Sequence, residues 1–322
     1  MTTPTPHDAA PAPDLDTMLA LARRLAAAAV DDPALAGVEI EGLLRHAGGR
    51  RIILSGRFGG RDAVLRLHLN ADADFVAAEW AEMQRLWSCL GDGAARVAEP
   101  LHCNPAHGIV ITERVPGIPL LQALWQAEPE SRPALIAPAA DWLRICMGDR
   151  AAIWPEGRRY WLRRAAEMHT TQPHRWLKRI EAGILTELER IARQIRRTKW
   201  RMAVLHGDFH AANLIVGEGR ITAIDTGASS QLPIYKDMAR FMTHMARRGM
   251  IPSGRRLYGV DAGSVAQFTQ AFDLSAQEAE VVLPFMIGVE TLMRVEPEDA
   301  KRVAIRRAAD MAEGLLEDLR QV

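Results

Sequence analysis

The chain has 322 residues, of which 48% are hydrophobic and 25% charged, and its 40 basic and 40 acidic side chains cancel. These values are typical of a globular protein, and the length suits one bilobal unit or two domains. Without a basic excess, the net charge gives no support to a nucleic-acid partner.

Cysteine spacing and hydropathy indicate the cellular compartment. Cys89, Cys103 and Cys146 are scattered and show no Cys-x-x-Cys spacing, which argues against a zinc site or a disulfide framework and fits a reducing environment. No apolar run approaches the ~20 residues of a membrane span. No basic stretch leads into an apolar one at the N-terminus. We therefore expect a cytoplasmic protein without a membrane span.

The N-terminal part begins with a tail and a helix. Residues 1–13 are rich in Thr, Pro and Ala, and we expect them to be disordered. Apolar residues on one side predict a helix over Asp14–Val30. The segment Val38–Leu69 then changes to alternating apolar and polar residues around Gly48-Gly49 and Gly59-Gly60. This pattern predicts three antiparallel strands.

Two further helices and one strand are predicted before residue 200. A helix is predicted over Asp74–Leu90, with an inward face formed by Phe75, Ala78, Met83, Leu86 and Leu90. The segment Gly108–Val115 predicts a strand that ends at Pro116-Gly117. Helix dominates from Leu120, and one long helix carries an apolar stripe of Trp176, Ile180, Ile184, Leu188, Ile191 and Ile195.

The residues best suited to catalysis or metal binding follow that helix. The segment His206–Asn213 reads His-Gly-Asp-Phe-His-Ala-Ala-Asn and lies between two apolar runs. After a Gly-Glu-Gly turn, a third apolar run ends on Asp225. The two runs around the turn predict a hairpin, which brings Asn213 close to Asp225.

Such a hairpin places an amide oxygen beside a carboxylate. Oxygen ligands of this kind suit magnesium, which also keeps positions for water or phosphate. Asp208 lies in the same loop and is placed to accept the proton of a hydroxyl during phosphoryl transfer. Taken singly, each of these residues is as compatible with an ordinary turn or a helix cap, so the argument depends on the complete set.

The complete set resembles a known family. His206-Gly207-Asp208-x-x-x-x-Asn213, followed by Asp225-Thr226-Gly227, resembles the catalytic loop and metal-binding turn of protein kinases. Gly207 in place of Arg, the second histidine His210, and the later stretch Tyr235–Arg240 resemble the aminoglycoside phosphotransferase and choline-kinase-like group. The resemblance covers residues 205–244.

The resemblance implies a fold and a reaction. It implies an α+β, protein-kinase-like bilobal fold, with a small N-lobe over 14–113 and a larger, mainly helical C-lobe over 114–322. The implied reaction is ATP- and Mg²⁺-dependent transfer of the γ-phosphate to a hydroxyl of a small molecule, namely a sugar, amino-alcohol, aminoglycoside or lipid-linked sugar. Asp208 would be the base or hydroxyl-orienting group, and Asn213 and Asp225 would hold Mg²⁺.

The neighbouring residues of the motif are assigned supporting roles. His206 would support the loop through hydrogen bonds. His210 is undecided between a brace and a contact to the acceptor. Asp237 and Arg240 would brace the C-lobe rather than contact substrate.

The same resemblance names nucleotide-binding residues in the N-lobe. The turn at Gly48 and Gly49 would cover the ATP phosphates, although the pair taken alone is better explained by an ordinary hairpin. Arg66 stands where protein kinases have the phosphate-anchoring lysine, and its fork is not equivalent to an ammonium. Glu79 would orient Arg66 or be a surface residue. Backbone groups of Glu113 to Val115 would bind adenine.

The sequence also allows two other functions. The Asp208-x-His210 pair also resembles the start of a two-metal phosphoesterase, but the chain has no Asn-His pair to complete that motif. A nucleotide-binding scaffold without turnover is supported only by Arg66 in place of lysine.

The basic run over Gly157–Arg179 has two interpretations. It holds six arginines and one lysine against Glu167. The first is a binding patch for an anionic or sugar-type acceptor or for a membrane surface. The second, which is the more common for such runs, is a solvated helix face. The sequence leaves the acceptor, the choice of ATP or GTP, and the oligomeric state open.

Overall fold

The computed structural model describes residues 15–47, 50–91, 93, 95–148, 152–154, 157–228 and 230–322. The chain divides into two compact units, Met1–Pro116 and Gly117–Val322. The predicted tail over 1–13 and the glycine pair Gly48-Gly49 lie outside the described residues.

The N-terminal unit combines a sheet with two helices. Its elements in chain order are α1 Leu15–Asp31, β1 Glu39–Ala47, β2 Arg51–Phe58, β3 Arg61–His68, α2 Ala73–Leu90, β4 Ala95–Val97, β5 Pro100–Asn104 and β6 Ile109–Glu113. Antiparallel pairing gives the strand order β1-β2-β3-β6-β5. The predicted antiparallel meander is therefore confirmed.

Turn chemistry and aliphatic burial explain this sheet. Gly59 and Gly60 have φ values of 58° and 77°, which a two-residue hairpin turn requires and glycine adopts without strain. Leu54, Leu65 and Ile111 are fully buried on the sheet face that packs with residues of α1. Each such side chain contributes about 2 kcal/mol to folding.

The inward face of α2 differs from the predicted one. Phe75 is 56% exposed and Ala78 is also exposed, whereas Val76, Glu79, Met83 and Leu86 are buried. Met83 and Leu86 are buried as predicted. In the first half of the helix the buried positions lie one residue later than predicted, because they include Glu79, a charged residue that counting apolar side chains places outside. Asp72 caps the helix by accepting a hydrogen bond from the N–H of Phe75 at 2.7 Å.

The C-terminal unit is mainly helical. Its helices are α3 Leu120–Gln126, α4 Ala137–Met147, α5 Arg158–Thr170, α6 Arg175–Gln194, α7 Ile234–Ala246, α8 Ala262–Ala271, α9 Leu283–Leu292 and α10 Arg302–Leu319. Its strands are β7 Ile118–Pro119, β8 Ala152–Trp154, β9 Trp200–Leu205, β10 Leu214–Gly217, β11 Arg220–Ala223, β12 Ser230–Pro233, β13 Arg256–Leu257 and β14 Val260–Asp261. Together with the antiparallel sheet of the first unit, this confirms the predicted α+β class.

Two short sheets position the central loop. β10 pairs with β11 and with β7, and β9 lies between β12 and β8, all antiparallel. The long helix α6 precedes β9 and buries Ile180, Ile184, Leu188 and Ile191 as predicted. Trp176 is 47% exposed instead of buried, because Leu177 occupies the inward position. None of the helices in the described ranges has the length and apolarity needed to cross a membrane.

Candidate active site

Aromatic packing anchors the loop over His206–Asn213. Phe209 is fully buried and its ring stacks on Trp142 of α4 at 5.6 Å and on Phe241 of α7 at 5.4 Å between ring centroids. Aromatic pairs at such separations stabilise beyond their buried area. The loop backbone is thereby fixed between two helices.

His206 is a bracing residue. Its side chain is completely buried, and its Nε2 lies 3.1 Å from the carbonyl oxygen of Ile224. Its Nδ1 accepts the N–H of Asp208 at 3.4 Å. A neutral imidazole with the proton on Nε2 satisfies both contacts. His206 thus connects the loop to the end of β11, and its burial keeps it away from any substrate.

A carboxylate of α7 also supports the loop. Asp237 is fully buried and its Oδ2 accepts the N–H of Gly207 at 3.0 Å. Burial raises the pKa of this carboxyl, although the nearby His206 and Lys236 and the Gly207 N–H act in the opposite direction. Asp237 therefore positions the backbone just before Asp208.

Asp208 lies among positive groups. Arg240 donates a hydrogen bond from Nε to Asp208 Oδ1 at 2.9 Å, and Arg294 Nη2 lies 3.8 Å from the same oxygen. Burial alone would raise the pKa of Asp208, but the contacts with His210 and Arg240 hold it well below its usual range. The carboxylate is thus ionised at neutral pH. Its side chain is 38% exposed, so it is accessible to a ligand from solvent.

His210 stacks on a second histidine. The rings of His210 and His244 lie parallel, 4.1 Å apart, and His210 Nε2 is 3.6 Å from Asp208 Oδ2. Burial lowers the pKa of His210, an effect that Asp208 opposes and Arg240 and Arg248 reinforce. The 12% exposure of its side chain favours the bracing role over an acceptor contact.

The hairpin brings Asn213 to the start of β10 and Asp225 to the end of β11. The carbonyl of Asn213 accepts the N–H of Ile224 at 2.9 Å, and Leu214 pairs with Ala223. Asp225 has a φ of 61°, a left-handed conformation that aspartate tolerates better than most residues. A non-glycine residue held in this region is a common feature of functional sites.

The donor set fits a divalent cation shared with a phosphate. Asn213 donates from Nδ2 to the carbonyl of Asp208 at 3.1 Å, which leaves its Oδ1 for a ligand. Magnesium is typically bound through one or two protein oxygens together with substrate phosphates. Across the part of the chain that the structure describes, no three His, Cys, Asp or Glu side chains converge as a metal site.

A charge network behind Asp208 was not predicted. Glu290 is fully buried in α9, with Lys236 Nζ at 3.2 Å and Arg294 Nε at 3.6 Å. Arg294 thereby connects Glu290 to Asp208. One sequence signal was available: Glu290 is the single charged residue of the apolar helix Leu-Pro-Phe-Met-Ile-Gly-Val-Glu-Thr-Leu.

The first unit pairs Arg66 with Glu79. Arg66 lies on β3 and is 8% exposed, and its Nη1 contacts Glu79 Oε1 of α2. His68 Nε2 lies 2.9 Å from the other oxygen of Glu79. Glu79 is therefore an interior residue rather than a surface residue, and it orients the guanidinium of Arg66.

At the end of β6, two of the three backbone N–H groups in the predicted adenine segment already have hydrogen-bond partners. The N–H of Glu113 donates to the carbonyl of Glu99 at 2.9 Å, and the N–H of Arg114 donates to the backbone carbonyl of Asp62 at 3.0 Å. The Glu113 carboxylate is held by Arg96 at 2.6 Å. Within the described residues the N–H of Val115 has no partner, so it is the available donor of this segment.

The antiparallel sheet unit, the helical unit and the loop–hairpin site together define a phosphotransferase of the kinase-like type. A model of the phosphotransferase enzyme family APH matches residues 51–226, more than half of the chain. The chain belongs to this APH family and is a small-molecule kinase, as the motif resemblance predicted. A comparison with curated proteins finds no match.

Solved structures share the fold over nearly the whole chain. Aminoglycoside phosphotransferase APH(4)-Ia is 17% identical, with 92% of this chain and 98% of that chain covered and a TM-score of 0.54. Amicoumacin kinase hAmiN is 14% identical, with coverages of 94% and 99% and a TM-score of 0.56. A choline/ethanolamine kinase family protein from Mesorhizobium loti is 17% identical, with coverages of 95% and 96% and a TM-score of 0.56. The predicted protein-kinase-like fold is confirmed.

Proposed function

We propose that the protein transfers the γ-phosphate of ATP, with Mg²⁺, to a hydroxyl of a small molecule. The observation that carries this proposal is the ionised Asp208, held by Arg240 beside the hairpin that positions Asn213 and Asp225. In such transfers the protein acts mainly by positioning groups and neutralising charge.

Each residue of the site has a distinct role in this proposal. Asp208 accepts a hydrogen bond from the acceptor hydroxyl and orients its oxygen; with a depressed pKa it is a weak base. Asn213 and Asp225 hold Mg²⁺, which neutralises charge on the phosphates when bound. Arg66, oriented by Glu79, binds phosphate oxygens.

Nucleotide use is supported by proteins of the same fold. Amicoumacin kinase hAmiN was solved with AMP-PNP and Ca²⁺, and a mutant of APH(4)-Ia with AMP-PNP and hygromycin B. At 14% and 16% identity these complexes support the choice of ligand class to test first. They carry no residue assignment to this chain.

The charges around Asp208 favour a neutral or anionic acceptor, such as a sugar or sugar acid. Arg294 is 38% exposed beside the carboxylate. Burial, together with Arg240 and Arg247, lowers the pKa of Arg248 to about 10, and Arg248 also acts on His210. A polycationic acceptor would be repelled by these guanidinium groups.

A thermal-shift titration tests the nucleotide and metal sites. ATP should raise the melting temperature of the wild type more with Mg²⁺ than without it, and Asp225→Ala should lose the Mg²⁺-dependent part. Asp208→Asn should keep the ATP response while phosphate transfer falls by about 100-fold or more, as for a positioned catalytic group. The absence of any ATP response would contradict the proposal. Full turnover in Asp208→Asn would overturn the role of that residue.

A matched acceptor screen tests the charge preference. Neutral sugars, sugar acids and aminoglycosides would be compared by ATP-dependent product formation. We expect turnover with neutral or anionic hydroxyl compounds, and Arg294→Gln should raise KM selectively for the anionic ones. Turnover restricted to aminoglycosides would contradict the preference without affecting the proposed reaction.

A further inference from the structure

Two adjoining cavities lie at the N-terminal end of α5. The first, of about 460 Å³, is lined by Gly157, Arg158, Arg159, Tyr160 and Arg196. The second, of about 450 Å³, is also lined by the three arginines of the first and continues along α6. They are referred to here together as the arginine cavity.

The arginine cavity has an excess of positive charge. Arg193 adds a fourth guanidinium, and Glu189 is the carboxylate among the described lining residues. Arg158 is only 7% exposed and donates from Nη1 to the carbonyl of Arg196 at 3.4 Å. Burial, followed by the charges of Arg159 and Arg196, lowers the pKa of Arg158. The lining groups thus repel one another.

Two neighbouring arginines of α5 have a carboxylate that offsets their charge. Arg163 and Arg164 lie 3.8 Å and 3.3 Å from the carboxylate of Glu167. By contrast, no carboxylate of the described residues lies within ion-pair distance of Arg159 or Arg196. Arg159 and Arg196 therefore differ from Arg163 and Arg164, whose charges Glu167 offsets.

The position of these arginines on α5 adds to the excess. Arg158 and Arg159 begin the helix, the first turn has no acidic residue, and no side chain caps it. The N-terminus of a helix carries partial positive charge, which disfavours cations and favours anions. A bound anion would relieve both sources of repulsion, and guanidinium groups bind phosphate oxygens in a bidentate manner.

The topology separates this cavity from Asp208. A Cβ atom added to Gly157 would lie 3.9 Å from the ring of Trp200, the first residue of β9. The catalytic loop begins after Leu205, at the other end of the same six-residue strand. Such a strand spans about 20 Å, so a small acceptor at Asp208 does not reach the cavity.

We propose that the arginine cavity is a second binding site, for a small, multiply charged phosphate compound such as a diphosphate. The site is distinct from the position of phosphoryl transfer and does not depend on that reaction. It also gives the basic run of α5 a ligand other than the acceptor.

Calorimetric titration of the whole protein with inorganic pyrophosphate tests the proposal. The test variant is Arg159→Gln/Arg196→Gln, which changes two exposed side chains. The matched control is Arg163→Gln/Arg164→Gln, which removes the same charge from α5 outside the cavity. We expect the test variant to bind pyrophosphate at least about tenfold more weakly, given the usual strength of charged hydrogen bonds, and the control to bind within twofold of wild type.

Three outcomes would overturn the proposal. The first is equal affinity of the test variant and the wild type, which would place pyrophosphate elsewhere, for example at the nucleotide site. The second is an equal loss in the control variant, which would indicate a general charge effect. The third is sedimentation of the wild type, but not the test variant, with anionic phospholipid vesicles, without binding of free pyrophosphate. That result would assign the arginines to a membrane surface.

Discussion

Asp208 keeps its negative charge in a partly buried loop because His210 of the same loop and Arg240 of α7 contact its carboxylate. Arg240 lies within hydrogen-bond distance of Oδ1, whereas Arg294 is farther, at 3.8 Å. Burial acts to raise the pKa of the carboxyl, and the favourable contacts outweigh it. The protonation state of the proposed catalytic group therefore depends on a residue that need not contact substrate.

Removing Arg240 should make the pH dependence of Asp208 visible. In Arg240→Gln the effect of burial is less opposed, so the pKa of Asp208 rises and the carboxylate is lost at a higher pH. We expect the acid limb of the kcat/KM profile for ATP-dependent transfer to move to higher pH, with a smaller shift in Arg294→Gln. An acid limb at the same pH in all three proteins would show that Arg240 does not control this group.

The helix α7 organises the loop through one face. Asp237, Arg240 and His244 are spaced three and four residues apart, so they lie on the same side of the helix. They contact Gly207, Asp208 and His210, respectively. A single amphipathic element thus positions the loop backbone, the carboxylate and the stacked imidazole.

His244 should make the stability of the protein sensitive to acid. It is 4% exposed, and burial, followed by the charges of His210, Arg248 and Arg240, lowers its pKa well below the usual value. Because the folded pKa is below that of the unfolded chain, unfolding takes up a proton as the pH falls below ~6.5. Stability should then decrease by up to about 1.4 kcal/mol per pH unit for this group.

His244→Phe keeps the aromatic ring and removes the titration. Urea unfolding between pH 8 and pH 5 should show a shallower loss of stability in this variant than in the wild type. The comparison at pH 8, where the imidazole is neutral, measures the packing change alone. Parallel curves for the two proteins over this range would contradict the assignment.

At the scale of the whole molecule, a buried ion-pair network connects distant parts of the C-terminal unit. Arg247, at the end of α7, donates to Glu296 at 2.6 Å and to the carbonyl of Thr291 at 3.1 Å. It also donates to the carbonyl of Arg294, which itself faces Asp208. The segment after α9 is thereby tied to α7 and to the catalytic loop.

Loss of Arg247 should lower the stability of the C-terminal unit. Arg247→Met leaves Glu296, whose side chain is 16% exposed, without its partner, and breaking such a pair costs about 3–5 kcal/mol. Arg306→Met is a matched control, because Arg306 is 73% exposed and paired within one helix, where such pairs contribute about 0.5 kcal/mol or less. Urea unfolding measures the free energy of unfolding of both variants. Similar small losses in both variants would show that the network does not stabilise the unit.

The local parts of the fold and site followed from the sequence. Strand alternation and paired glycines predicted the meander, and the spacing of Asp208, Asn213 and Asp225 around a turn predicted their convergence. These features depend on residues within a few positions of one another, where period and turn chemistry dictate the geometry. The pair of Arg66 and Glu79 was named from resemblance, and the structure joins their side chains.

Only the tertiary structure decided which charges surround Asp208. Arg294 is 86 positions from Asp208 in the chain, and no local pattern relates the two. The same limit explains the exposed Phe75 and Trp176 and the buried Glu79. Whether a side chain is inside depends on what packs against its helix and on whether a buried charge finds a partner. Residue order therefore determined the elements and the motif, including His210 beside Asp208, whereas long-range packing brought Arg240 and Arg294 to the carboxylate.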